Sequence, residues 1–320
     1  MTAPLPTIGA LLPRDLPVAD VLPFVRDVEE LGFEELWVVE DCFFRGGIAQ
    51  AAVALASTSR LRVGVGILPA AARNVAFAAL ELATLAELYP GRLVAGVGHG
   101  MPGWIRQVGA WPASPLTLLD EQLAALRAIL RGEEVTTDGR YVRLDAVRLD
   151  SPPTVPPPVL AGVRGPRSLE VAGRAADGVV LAEPVTPEYV RAVRDQAAGG
   201  PDLRVVAYEI AAVDDDVAAA RARARAALLW VGEPDVAVHL VGLPFADDLA
   251  RLRAEHTDRH AFAAALPDAW VDELAVVGTP SDARRRLAEL ADAGTDGVVL
   301  VPVGPDPLAA LHRLARVLPG

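Results

Sequence analysis

Glu40 and Asp41 stand side by side at the end of an apolar run, Trp37-Val38-Val39, and are followed by the chain's one cysteine, Cys42. Adjacent carboxylates at such a place can act as general acid or base, or can orient a cationic group of a substrate. One of them can equally cap the loop that follows. Paired carboxylates also serve glycoside hydrolysis, where the separation between them decides the chemistry. Cys42 has no histidine beside it in sequence to activate it and reads as a buried structural thiol. His99 lies between Gly98 and Gly100 at the end of another apolar run, where contact with a ligand is expected. His256 and His260 have the spacing of a metal pair on one helix face, but the stretch RAEHTDRH around them is strongly polar. A solvated surface is the expectation there, and no metal site.

Glycine marks the other places where a ligand can come close. The run VGVGILP at 63–69 and the run GVGHG at 96–100 remove side chains near the ends of apolar segments. A flat molecule can then approach the backbone, although tight packing explains such runs equally well. At 162–168 the chain reads GVRGPRS. A glycine turn opening a helix near Pro166 offers free N–H groups to a phosphate, and Arg164 and Arg167 add fork-like charged donors.

The elements that must position these groups alternate along the chain. Apolar runs at 7–12, 36–40, 61–68, 93–98, 158–163, 178–182, 203–213 and 297–303 are rich in Val, Ile and Leu without polar alternation, as strands covered on both faces are. Helical patterns lie between them at 18–31 (closed by Gly32), 74–89, 115–130, 168–176, 186–197, 214–229, 283–292 and 307–317. In the second of these the apolar spacing runs through Phe77, Leu80, Leu82, Leu85 and Leu88. Eight strands alternating with helices predict a (β/α)8 TIM barrel, with a doubly wound open sheet as the alternative. The barrel is favoured by the count and by a weak internal repeat, ADGVVL at 176–181 against TDGVVL at 295–300. Long insertions follow strands 4 and 7, at 101–157 and 214–295. No linker divides the chain, so 1–320 is read as one domain.

Composition narrows the chemistry further. All 30 cations are arginine, and Asn74 is the one asparagine. Without lysine, Schiff-base, pyridoxal-phosphate and phosphate-loop chemistries lack their amine. A net charge of −12 argues against nucleic acid or an anionic membrane as partner. One cysteine fits a reducing cytoplasm. The stretch MTAPLPTIGALLPRDLP lacks the pattern of a signal peptide, and no apolar run reaches membrane-span length.

Together, GFEELWVVED at 32–41, LRVGVGILPAAARN at 61–74, ELATLAELYPGRLVAGVGHG at 81–100, GVRGPRSLEVAGRAADGVVL at 162–181 and VVGTPSDARRRLAELADAGTDGVVL at 276–300 resemble the bacterial luciferase-like monooxygenase superfamily. The similarity is to its deazaflavin-dependent branch, the methylenetetrahydromethanopterin reductase-like oxidoreductases. The resemblance implies a barrel with a deazaflavin (coenzyme F-420) or FMN across its C-terminal mouth, and a non-prolyl cis peptide at Gly66–Ile67. Gly66, Ile67, Gly98, His99, Gly100, Val163, Arg164, Gly165, Pro166, Arg167, Ala182 and Glu183 would meet the cofactor. Trp104 and Trp111 would wall the pocket. The family often has Asp-His where this chain has Glu40-Asp41, so the proton work falls to Glu40, Asp41 or His99. The implied activity is hydride transfer between coenzyme F-420 and a small organic substrate. The alternatives are an FMN-dependent monooxygenase using oxygen, and a non-catalytic, cofactor-free member of the fold. A homodimer is the family expectation.

Overall fold

The computed structural model describes residues 5–200 and 202–319; Met1–Pro4, where the stretch examined for a signal peptide begins, lie outside them. The strands are β1 (Thr7–Leu11), β2 (Glu35–Val38), β3 (Arg62–Pro69), β4 (Leu93–Gly98), β5 (Val135–Asp138), β6 (Arg143–Val147), β7 (Val159–Gly162), β8 (Gly178–Leu181), β9 (Arg204–Val213), β10 (Val276–Gly278) and β11 (Gly297–Pro302). The parallel sheet runs β10-β9-β11-β1-β2-β3-β4-β7-β8, and β8 pairs back onto β9. That pairing closes an eight-stranded barrel and leaves β10 attached to the far end of β9. The open-sheet alternative is thereby excluded.

The repeated Asp-Gly turns have a shared physical use. Asp177 accepts the backbone N–H of Val159 at 2.9 Å and an Arg127 fork at 2.6 Å. Asp296 accepts the N–H of Val205 at 2.7 Å and Arg194 at 2.8 Å. Each carboxylate satisfies the start of a neighbouring strand and sets its register.

The barrel interior is filled by few, large side chains. Trp37, Leu160, Val180, Val206, Tyr208 and Val299 form one cluster, and glycines make room for the largest of them. A Cβ on Gly64 would fall 2.3 Å from the Trp37 ring, and one on Gly66 2.0 Å from Tyr208 Oη. Beneath Trp37, its indole N–H donates to Glu35 at 2.8 Å, and Arg204 and Arg62 hold the same buried carboxylate at 2.5 and 3.2 Å.

The insertion after β4 holds a short helix, Pro102–Gln107, the long helix Pro115–Leu130 and the antiparallel hairpin β5–β6. The insertion after β9 folds five helical segments between 217 and 274 around its own apolar core, which includes Ile210, Leu249, Phe262 and Val271. His256 ends one helix there (Ala246–Glu255) and His260 lies in the next (Arg259–Ala265), so the two do not share a helix face. Helix Val75–Leu88 departs from the single apolar stripe read from sequence. Leu82 and Leu85 are buried, whereas Phe77, Leu80 and Leu88 face outward. Among the described residues, no helix is long and apolar enough to cross a membrane.

Trp37 is the keystone of the interior cluster, and its removal leaves a cavity walled by glycine backbone that cannot collapse. Trp37→Ala is expected to cost about 3–5 kcal/mol, read as a lowered urea midpoint.

Candidate active site

The C-terminal ends of the strands carry the candidate residues, as barrel sites do. At the end of β3 the Gly66–Ile67 peptide is cis, as the resemblance implies, and the pairing with β4 shifts register between Val65 and Leu68. The bulge turns Ile67 across the barrel toward β4 and β7. A Cβ on Gly96 would lie 3.2 Å from Ile67, one on Gly98 3.2 Å, and one on Gly162 2.4 Å. The glycines therefore seat Ile67, and the packing explanation of the glycine runs is part of the answer. Ile67 itself is half-buried, leaving an apolar floor at the mouth. Gly100 has φ +69° with Pro69 and Ile105 against it, a conformation that side chains rarely adopt.

His99 is half-buried, and its Nε2 lies 3.1 Å from Ser168 Oγ, in the first turn of helix Pro166–Ala175. Burial lowers its pKa from 6.5, so the ring is neutral at pH 7. The helix starts at Gly165, which has no side-chain cap. Arg164 is half-buried and bonded to Asp235 at 3.3 Å, while Arg167 is exposed. Val163 is buried among core residues, so only its backbone can face a ligand. Trp104 and Trp111 are both half-buried, with Arg106 stacked over Trp111.

The two adjacent carboxylates have separate fates. Glu40 grips Arg73 with both oxygens, at 2.6 and 3.0 Å, and accepts the Gly47 N–H at 2.8 Å. Its lone pairs are committed to joining the β2 loop, the β3 loop and the start of helix Gly47–Ser57. Asp41 holds Arg14 of the β1 loop at 2.5 Å near the surface. Cys42 is half-buried, and burial together with Glu40 and Asp41 pushes its thiol pKa up, away from nucleophilic use.

A third carboxylate differs from both. Glu183, after β8, is half-buried and makes no ion pair among the described residues. Burial pushes its pKa up; Arg164 and Arg14 oppose this, and Asp41 reinforces it. Tyr208 lies near it, a phenol that burial, Glu183 and Glu35 keep well above its ordinary pKa. Tyr208 Oη points to the Gly66 carbonyl at a long 3.4 Å.

Sequence reading missed the support under Glu183. Its loop continues through Pro184 and Val185. Buried His239 contacts the Pro184 carbonyl through Nδ1 at 3.0 Å and stacks on Tyr189, whose hydroxyl donates to the Arg164 carbonyl at 3.1 Å. Buried Glu209 accepts the Val185 N–H at 3.2 Å and is pushed far above its ordinary pKa by burial. The signal was present as isolated polar residues in apolar context, Tyr208-Glu209 in VVAYEIAAV and His239 in VAVHL.

Burial and, to a smaller extent, Arg164 push His239 down to about 4 from 6.5. The folded chain then binds fewer protons than the unfolded chain between those values. Stability is therefore full above pH 6.5 and falls by up to about 3 kcal/mol as pH drops toward 4. Thermal midpoints across pH 4–7.5 are expected to show this slope, and His239→Phe is expected to flatten it.

The luciferase-like monooxygenase family model matches residues 5–297. The chain is 27% identical over 321 residues to a 5,10-methylenetetrahydromethanopterin reductase of Methanolobus tindarius, covering 97% of this chain and 98% of that protein. It is 30% identical over 266 residues to a phthiodiolone/phenolphthiodiolone dimycocerosates ketoreductase of Mycobacterium bovis, covering 76% and 70%. The structure of the coenzyme F420 dependent tetrahydromethanopterin reductase from Methanopyrus kandleri superposes with a TM-score of 0.81 at 21% identity, covering 98% of both chains. With its barrel closed, its β3 bulge in place and its sequence matched from the first strand to the last, this chain belongs to the luciferase-like monooxygenase family.

Proposed function

We propose that the chain is an oxidoreductase that transfers a hydride between coenzyme F-420 and a small organic substrate at the mouth of the barrel. The observation that carries this reading is the pairing of an apolar floor with an anion-ready rim. Ile67 is seated on Gly96, Gly98 and Gly162, and one rim sector offers an uncapped helix start between two arginines. The curated reductase relatives, matched over nearly the whole chain, support the same class. The residues fit the deazaflavin, which when bound supplies the hydride donor or acceptor. Gly66, Ile67, Gly98 and Gly100 would face its ring. Arg164, Gly165 and Arg167 would hold its phosphate, with His99 and Ser168 bracing the helix start and Pro166 fixing its first turn.

The proton work falls to Glu183, a mouth carboxylate with no ion pair among the described residues, and not to Glu40, whose oxygens serve Arg73. A carboxyl whose pKa is raised by burial keeps its proton nearer neutrality, as a general acid requires. Asp41 and Arg14 set the local charge at the entrance. Ala182, the residue after β8, would meet the cofactor beside Glu183.

Titration of the purified protein with F-420 and, separately, with FMN tests the cofactor. F-420 binding in the micromolar range is expected, and FMN binding without F-420 binding overturns the reading. Arg164→Ala/Arg167→Ala is expected to weaken F-420 binding at least tenfold, since charged hydrogen bonds of about 1.5–3 kcal/mol are lost. Glu183→Gln is expected to lower turnover about a hundredfold or more with cofactor affinity retained, whereas Glu40→Gln is expected to lower the thermal midpoint.

A homodimer is part of the proposal. The outward faces of helices Gly47–Ser57 and Val75–Leu88 expose Val53, Phe77, Leu80 and Leu88, at 45%, 68%, 53% and 64%. A patch of this kind marks an association surface. Phe77→Glu/Leu80→Glu is expected to give a monomer by light scattering where the parent chain gives a dimer.

A further inference from the structure

The helical turn Pro234–Leu240, in the insertion after β9, touches both rim loops that the proposed function uses. We infer that His239, buried in this turn, is a positioning residue with two separable tasks: its Nδ1–H sets the Glu183 loop, and its ring face sets the Arg164 loop through Tyr189. The inference deepens the proposed function and rests on the roles given there to Glu183 and Arg164.

The first task follows from the hydrogen bond. His239 is fully buried, and its Nδ1 lies 3.0 Å from the carbonyl oxygen of Pro184. That oxygen can only accept, so Nδ1 carries the proton and Nε2 keeps a lone pair. Pro184 follows Glu183 directly and has no N–H of its own to anchor the loop. The next residue, Val185, gives its N–H to buried Glu209 at 3.2 Å. The chain just after Glu183 is thus held from two sides, by the turn and by β9. This fixes the backbone that carries the acid, and with it the depth at which the carboxyl sits.

The second task follows from the stack. The His239 ring lies 4.6 Å from the ring of Tyr189, with 22° between the planes. Tyr189, in helix Pro187–Ala197, donates its hydroxyl hydrogen to the Arg164 carbonyl at 3.1 Å. From the same turn as His239, Asp235 meets the Arg164 guanidinium at 3.3 Å. The loops after two paired strands, β7 and β8, are thereby tied to one ring. Packing alone has no use for an imidazole here. A phenyl ring would stack as well without burying Nε2, which has no partner among the described residues. What phenylalanine lacks is the Nδ1–H.

Substitutions that keep one contact and delete the other test the assignment. Phenylalanine at 239 stacks without the bond; asparagine places an amide N–H near the Nδ1 position and has no ring. The first task is read from the titration of the Glu183 carboxyl by carboxyl-carbon NMR of the cofactor-free chain, the signal being assigned by its loss in Glu183→Gln. Burial holds this carboxyl above its usual range, Arg164 and Arg14 oppose it and Asp41 reinforces it; Tyr208 and Glu209 are the other titratable groups facing it. The second task is read from F-420 affinity by calorimetry. His239→Phe is expected to lower the Glu183 midpoint by about 0.5 or more, because a loosened loop lets water reach the carboxyl. Its F-420 affinity is expected to stay within about twofold. His239→Asn and Tyr189→Phe are expected to keep the Glu183 midpoint and to weaken F-420 binding about threefold or more, as for one lost neutral hydrogen bond. His239→Leu removes the same donor should the phenylalanine variant not fold. A Glu183 midpoint unmoved in the folded donor-free variant, a midpoint moved equally by all the variants, or an F-420 affinity unchanged in both His239→Asn and Tyr189→Phe overturns the inference and leaves the proposed function standing. If the unaltered chain binds no F-420, the proposed function falls, and the Glu183 titration, which needs no cofactor, decides this inference.

Discussion

The mouth of this barrel depends on an exchange of volume between facing positions. Glycine gives up its side chain on β3, β4 and β7 so that Trp37, Tyr208 and Ile67 can enter the space. An interior packed to crystal-like density tolerates neither the added methyl nor the missing ring. The same exchange fixes the chemistry above it. Ile67 lies across the top because Gly96, Gly98 and Gly162 leave room, and Tyr208 reaches under the mouth because Gly66 has no Cβ. Packing and ligand approach are therefore two outcomes of one arrangement.

Charge follows a parallel rule. With arginine as the only basic side chain apart from histidine, all the ion pairs among the described residues except His312–Asp27 are made by a planar fork that stays protonated at any ordinary pH. Glu35 is locked by Arg204 and Arg62 under the barrel, and Glu40 by Arg73 beside it. Carboxylates so bound are structural. Glu183, which makes no ion pair among the described residues, is the group we propose for proton transfer. His239 and Glu209 hold its loop with buried polar contacts, and among the described residues His239 Nε2 and Glu209 Oε2 have no hydrogen-bond partner.

Much of the fold was legible because buried parallel strands announce themselves as unbroken apolar runs. All eight barrel strands fall where 7–12, 36–40, 61–68 and the later runs place them, within a few residues. The helix Gly47–Ser57 was not legible, because GIAQAAVALAS carries apolar residues on every face and shows no stripe. Hairpin β5–β6 was missed despite its Asp138-Gly139 turn, since its burial alternates on a largely exposed ribbon. The rim was legible as motifs, but the division of labour among its carboxylates was not. Arg73 lies 33 residues from Glu40 and Arg14 lies 27 from Asp41, so only the folded chain shows which acid is spoken for.

Closure of the ring joins residues 7–10 to residues 297–300. During synthesis, the first strand waits for a neighbour that is made almost last. Until then β1 has one open edge, and the apolar strands that follow it have no sealed interior to fill. Non-local pairing of this kind folds slowly and leaves sticky surface exposed in the meantime. The nascent chain is thus a natural client for chaperones, and truncation before residue 297 removes the barrel's last stave and leaves the other seven unclosed.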